Sequence, residues 1–199
     1  MTEKTNIENM EAKNSLIYKA TQFAAKVHQH QTRKGKPIPY ILHPLSVANR
    51  LSRVGASEVV IAAAILHDTI EDCTPYGSVS KELLEKEFGV NIARMVNDVT
   101  EQDKSFSWTQ RKQAALDHIP KMDQDSLLVK SADVLDNLSD QILDYMNLGD
   151  KMFETYNATK DQQLDRYQKV IFALEKAWSE NPILDSLKVA VAEAKNLWS

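Results

Sequence analysis

The alternation of apolar and polar positions along this chain has the period of helices almost throughout. Leu16, Ala20, Phe23, Ala24 and Val27 recur at intervals of three and four, which predicts an amphipathic helix over about residues 9 to 30. The segment QTRKGKPIPY interrupts the pattern. Gly35, Pro37 and Pro39 forbid a continuing helix, so residues 31 to 42 read as an ordered loop carrying Arg33, Lys34 and Lys36. Pro44 suits the first turn of the next helix, with His43 at its N-terminal edge, Val47, Leu51 and Val54 facing inward, and Gly55 at its end.

Ser57 is placed to cap a third helix that runs through Val60, Ile61, Ala64, Ile65 and Leu66 into the stretch HDTIED. Residues 59 to 66 are all apolar, so this helix belongs at the centre of a bundle, where Ala62, Ala63 and Ala64 let neighbours approach closely. After a break at TPYGS, Ser80 starts a short helix ending at Phe88-Gly89, and residues 90 to 100 place Ile92, Val96 and Val99 on one face. Ser107 with Gln110 resembles a capping box and opens a helix bounded by Pro120. A long helix over about residues 124 to 144 follows, with Leu128, Ala132, Leu135, Leu138 and Ile142 inside, then two more near 160 to 179 and 183 to 198. No segment has the pattern of a strand. The expectation is a single all-α domain over residues 1 to 199, a compact bundle of about eight or nine helices.

Composition narrows the setting. With 43% hydrophobic and 26% charged residues, and only five Gly and six Pro, the chain reads as a globular helical protein. Its one cysteine, Cys73, excludes an internal disulfide and suits a reducing compartment. The polar N-terminus lacks the pattern of a signal peptide, and no apolar run approaches the ~20 residues of a membrane span, so the expected location is the cytoplasm. A net charge of −4 argues against general binding to nucleic acid, so attraction of an anion has to be local.

The candidate chemistry lies where the apolar run ends. Buried ionisable groups need partners, and His67, Asp68, Glu71 and Asp72 fall within six positions. On a continuing helix, His67 and Glu71 stand four apart, as do Asp68 and Asp72, lining adjacent strips of one surface. His43 lies at a helix edge one element earlier, and Asp133 and Asn137 stand one turn apart on the long helix. Together His43, His67, Asp68 and Asp133 form a set of two imidazoles and two carboxylates from three helices, suited to manganese, iron or zinc. Plainer readings exist: His43 as a helix entrance, and Asp133 paired with Lys130 on a solvated face. His28, His30 and His118 lack acidic companions and read as structural or surface groups, and Cys73 reads as a small, partly buried residue. No nucleophile elbow or phosphate-cradling glycine loop occurs.

Four segments in series, QTRKGKPIPYILHP, AAAILHDTIED, FGVNIARMVNDVT and VKSADVLDNL, resemble the hydrolase domain of RelA/SpoT-type proteins, a branch of the HD-domain phosphohydrolases, over about residues 20 to 145. The resemblance implies an HD-domain bundle, standing alone because the helical tail is too short for the nucleotide synthetase domain of larger relatives. It implies His43, His67, Asp68 and Asp133 as metal ligands, usually for Mn2+, with other divalent metals open. Glu71 and Asp72 match the acidic pair that activates and orients the attacking water, and Arg33, Lys34 and Asn137 match nucleotide contacts. The implied reaction removes pyrophosphate from the 3′ position of guanosine tetra- or pentaphosphate.

Two departures from the family pattern stand out: His30 stands where members often have a small residue, and Asp140 where a hydroxyl side chain often lines the nucleotide pocket. An acidic Asp140 either repels phosphate or reads a base amino group, which leaves base preference open. The alternatives are another nucleotide substrate, such as an adenosine alarmone, a deoxynucleotide or NADPH, and a helical sensor without turnover. The intact Glu71-Asp72 pair speaks against a sensor. The tail residues Trp178, Ile183, Leu184, Leu187, Val191 and Trp198 either complete the core, the preferred reading, or form a dimer seam, so the oligomeric state stays open.

Overall fold

A computed structural model describes residues 15–70, 79–101, 105–156 and 158–199. Nine α-helices occur among them, and the described residues hold no strand beyond an isolated antiparallel bridge between Thr32 and Pro39. The fold is all-α, as the periodicity predicts. No described helix is long and apolar enough to cross a membrane. The chain divides into two compact units, one of residues 1–33 and 38–100, the other of residues 34–37 and 101–199.

The first unit is built around α3 (Glu58–Leu66), which packs against α1 (Leu16–Val27), α2 (Leu42–Arg53) and α5 (Val90–Val99). Ala62, Ala63 and Ala64 are wholly buried, which lets three helices close on one axis. The Ser57 hydroxyl accepts from Val60 N, and Ser80 likewise caps α4 (Lys81–Phe88), which packs on α5. Glu58 also accepts from Ser15 Oγ and Leu16 N at 3.0 and 2.9 Å, so an acid in the first turn of α3 caps the start of α1.

Two boundaries in the first unit differ from the sequence expectation. The described part of α1 starts at Leu16 and stops at Val27, because a turn at His28 follows in which Gln31 N donates to His28 O. More consequentially, α3 does not run through HDTIED: it ends at Leu66, and residues 67–70 form a turn. Thr69 is the cause, since its amide and its hydroxyl both donate to Leu66 O, at 3.0 and 2.7 Å, tightening the chain out of the α-helical repeat. The strips expected for residues 67 to 72 therefore do not form as a helix face over 67–70, and Glu71, Asp72 and Cys73 lie outside the described residues.

The second unit centres on α7 (Gln124–Leu148), which packs against α8 (Lys160–Ala177), α9 (Leu184–Leu197) and a 3-10 segment at Gly149–Thr155. Helix α6 (Trp108–His118) opens with the expected capping box of Ser107 and Gln110. α7 exceeds its expected end by a turn and stops at Gly149, whose φ of +59° favours glycine. Ile183, Leu184, Leu187 and Trp198 are buried within this unit, where α9 meets α7 and α8, while Trp178 and Val191 are half-buried.

Candidate metal and nucleotide site

In the first unit, two imidazoles converge on one carboxylate oxygen. His43, in the first turn of α2, places Nε2 3.5 Å from Asp68 Oδ2, and His67, at the C-cap of α3, places its Nε2 3.2 Å from the same atom. The two rings stand edge to face at 5.1 Å, and both histidines are at most 3% exposed.

Hydrogen bonding decides what this trio can hold. His67 Nδ1 lies 2.7 Å from Ala64 O, which only accepts, so Nδ1 carries a proton and, when the ring is neutral, Nε2 is the nitrogen that presents a lone pair toward Asp68. A lone pair and a carboxylate oxygen at 3.2 Å repel unless a positive centre sits with them. The trio also lies at the negative end of α3, where a cation is favoured and a lone carboxylate is not. Mixed nitrogen and oxygen donors with an oriented outer nitrogen suit a divalent first-row metal, so the residues fit the ion that the sequence implies.

Tyr40, which the sequence reading did not single out, completes the surroundings of Asp68. Its hydroxyl donates to Asp68 Oδ2 at 2.7 Å. Its ring lies against His28 at 5.0 Å and takes the Arg33 guanidinium over it at 5.6 Å. Arg33 N donates to Ile38 O and Tyr40 N to Gln31 O, so the ends of the basic loop are clasped and Arg33 and Tyr40 are held side by side. His28 is buried and bonded to Gln31, a structural role as expected.

In the second unit, Asp133 and Asn137 stand one turn apart on α7, as expected. Asp133 is buried, with Oδ1 accepting from Asn137 Nδ2 at 2.6 Å and Oδ2 accepting from Lys130 Nζ at 3.1 Å. The Lys130 pairing therefore exists, but on a buried face rather than a solvated one. Burial disfavours the Lys130 ammonium, yet Asp133, with help from Glu101, holds its pKa above the ordinary lysine value.

The loop segment of this unit is tied to α7 and to the 3-10 segment. Lys34 Nζ lies over the Tyr156 ring at 5.6 Å, while Lys36 is paired with both Asp140 and Asp144. A further basic cluster escaped the sequence reading because its members lie far apart in the chain. Lys112 on α6 bonds Glu101, and Lys130 and Arg166 act on the same carboxylate. Burial pushes the Glu101 carboxyl up, but Lys112, Lys130 and Arg166 outweigh it and hold the group below the ordinary glutamate range. Burial and Arg166 pull Lys112 below the ordinary lysine value despite Glu101. Lys112 and Arg166 also line a cavity of about 210 Å³ with Trp108, Leu116, Gln162 and Lys169.

A family model for the HD domain matches residues 20–145. The chain belongs to the HD-domain family. Over 134 residues this HD-domain protein is 40% identical to the guanosine-3′,5′-bis(diphosphate) 3′-pyrophosphohydrolase MESH1 of Xenopus tropicalis, covering 66% of this chain and 72% of that one. It is 34% identical over 178 residues to a GTP pyrophosphokinase of Myxococcus xanthus, covering 85% of this chain and 22% of the relative. Among solved structures it is similar to a metazoan orthologue of SpoT that hydrolyses ppGpp and plays a role in starvation responses. That likeness has a TM-score of 0.74 at 28% identity and covers 92% of this chain and 97% of the other. In the HD-domain chain, the His-Asp pair at 67 and 68 is the turn at which the imidazoles and carboxylate meet.

Proposed function

We propose that this protein is a metal-dependent hydrolase that removes the 3′-pyrophosphate from guanosine tetra- or pentaphosphate, leaving GDP or GTP. One observation carries the reading: His43 and His67 converge on Asp68 Oδ2 in an HD-domain chain that is 40% identical to a named 3′-pyrophosphohydrolase. His43, His67, Asp68 and Asp133 are the proposed ligands and Mn2+ the proposed ion, supported by the mixed nitrogen and oxygen donor set. When bound, the ion supplies Lewis acidity to the phosphoryl group and to water.

The chain's own residues do the rest. Glu71 and Asp72 accept the proton of the attacking water and orient its oxygen. That oxygen bonds to the phosphorus carried on the ribose 3′ oxygen, the bond from that phosphorus to the 3′ oxygen breaks, and the ribose oxygen takes up a proton. Arg33, Lys34 and Asn137 position the nucleotide. Because the net charge is −4, attraction of a polyphosphate has to be local, and Lys36 contributes little to it while two carboxylates hold it. The single cysteine supports a reducing location, the cytoplasm.

The test is pyrophosphate release from guanosine tetraphosphate by the Mn2+-loaded protein, with the Asp68→Ala variant as a blank. Release by the wild type alone supports reaction and site together. No release with the metal bound overturns the guanosine reading and directs the assay to adenosine alarmones and NADPH.

A further inference from the structure

We propose that Tyr40 is a positioning residue that couples the metal-binding carboxylate Asp68 to the nucleotide-contacting Arg33, an inference that rests on the function proposed above. Within the first unit, the Tyr40 side chain touches both parts of the site. Its hydroxyl donates to Asp68 Oδ2 at 2.7 Å, the oxygen on which the two histidines converge. Its ring carries the Arg33 guanidinium at 5.6 Å.

The residue is itself well determined. His28 lies against the ring at 5.0 Å and an interplanar angle of 32°, and His43 meets it edge-on at 6.1 Å. On the backbone, Tyr40 N donates to Gln31 O at 2.9 Å and His43 N donates to Tyr40 O at 3.0 Å. A tyrosine that merely filled space would direct its hydroxyl to water or to a backbone carbonyl. Here the partner is an ionisable carboxylate next to His67, and a short hydroxyl-to-carboxylate bond fixes which oxygen faces the imidazoles. Partners that orient a ligating carboxylate set its contribution to metal affinity, typically by 10- to 100-fold. The ring acts on the other side, since a guanidinium over an aromatic face is held in direction as well as position. The spacing Tyr40 to His43, three residues apart at the mouth of α2, ties both functions to one short segment.

Two variants separate the two links. Tyr40→Phe keeps the ring beneath Arg33 and removes only the hydroxyl. Tyr40→Leu removes both. Each metal-free protein is titrated with Mn2+, following free ion by its paramagnetic resonance signal, and each is assayed on guanosine tetraphosphate at saturating Mn2+. The expected result is Mn2+ affinity about 10- to 100-fold weaker in Y40F, with its KM for nucleotide unchanged. Y40L should match Y40F in metal affinity and raise KM severalfold further.

Wild-type Mn2+ affinity in Y40F overturns the link to Asp68. Equal KM in Y40F and Y40L overturns the link to Arg33. If Y40L does not fold, Arg33→Gln in the wild-type and Y40F backgrounds replaces it, and an unchanged KM there overturns the same link. A wild type that binds Mn2+ but releases no pyrophosphate defeats the substrate reading alone, and the titration still judges Tyr40. A wild type that binds no Mn2+ defeats the coupling together with the metal site.

Discussion

Lys36 Nζ lies 2.8 Å from Asp140 Oδ1 and 2.7 Å from Asp144 Oδ2, so one loop lysine is gripped by two carboxylates a helical turn apart. The acid expected either to repel phosphate or to read a base is thus engaged by a lysine of the basic loop. Replacing Lys36 by Ala leaves both carboxylates uncompensated in the unit that holds Lys34, and should raise KM for guanosine tetraphosphate on the order of tenfold. Asp140→Asn keeps Asp144 on Lys36 and should change KM by less than about threefold. Steady-state kinetics of the pair checks this; equal KM values in both variants and the wild type would remove the clamp from substrate binding.

Gly35 lies beside that clamp at φ +73°, and a Cβ there would sit 2.6 Å from Thr155 Cγ2. Gly35→Ala should cost about 1–2 kcal/mol from backbone conformation alone, with an added cost from the contact. Urea unfolding of Gly35→Ala alone and combined with Thr155→Ser measures the two parts, since serine lacks the methyl group. The double variant should recover some of the loss, and no recovery would show that the methyl contact is relieved at no cost.

Asp68 is the oxygen donor common to both histidines, so Asp68→Ala should abolish retention of the metal. Metal analysis after gel filtration decides it, and full occupancy in the variant would end the ligand assignment. Chelation of the wild type should lower its melting temperature, because binding to the native state alone adds stability by mass action.

Glu71→Ala should spare the metal and lower kcat by roughly 10²- to 10⁴-fold, the usual contribution of a general base. The two readouts, metal content and kcat, belong in the same preparation. Unchanged turnover would take Glu71 out of the mechanism.

Glu101 links acid stability to the basic cluster. Its folded carboxyl lies below the ordinary glutamate range although burial raises it, because Lys112, Lys130 and Arg166 act on it. A lowered folded value means that the ionised carboxylate stabilises the fold above the unfolded pKa and that this part is lost as pH falls through the folded one. Glu101→Gln should therefore cost about 1–3 kcal/mol at neutral pH, and the gap to wild type should close toward about pH 3. Denaturant titrations at both pH values measure it; a gap that does not narrow in acid would assign the loss to packing.

The sequence by itself determined the helical class, the central place of α3, the caps at Ser57, Ser80 and Ser107, and the residues proposed here as metal ligands. These are local or periodic properties: burial of an all-apolar face and the pairing of a hydroxyl with a nearby amide depend on neighbours within a few positions. The stop at Gly149 was equally local, a glycine at positive φ that a reading by apolar period alone passes over.

Only tertiary structure decided how the groups face one another. The apolar period predicts a helix through HDTIED, whereas the chain turns after Leu66, where Thr69 bonds twice to Leu66 O, and His43 from a separate helix reaches the same Asp68 oxygen as His67. Tyr40 became part of the site because a loop closed by the Thr32 and Pro39 bridge returns it toward Asp68, 28 positions away. The pairing of Lys36 with Asp140, and the cluster of Glu101, Lys112, Lys130 and Arg166, span still longer separations. Charge acts through space rather than along the chain, so a count of acids and bases shows which groups exist but not which of them neutralise each other.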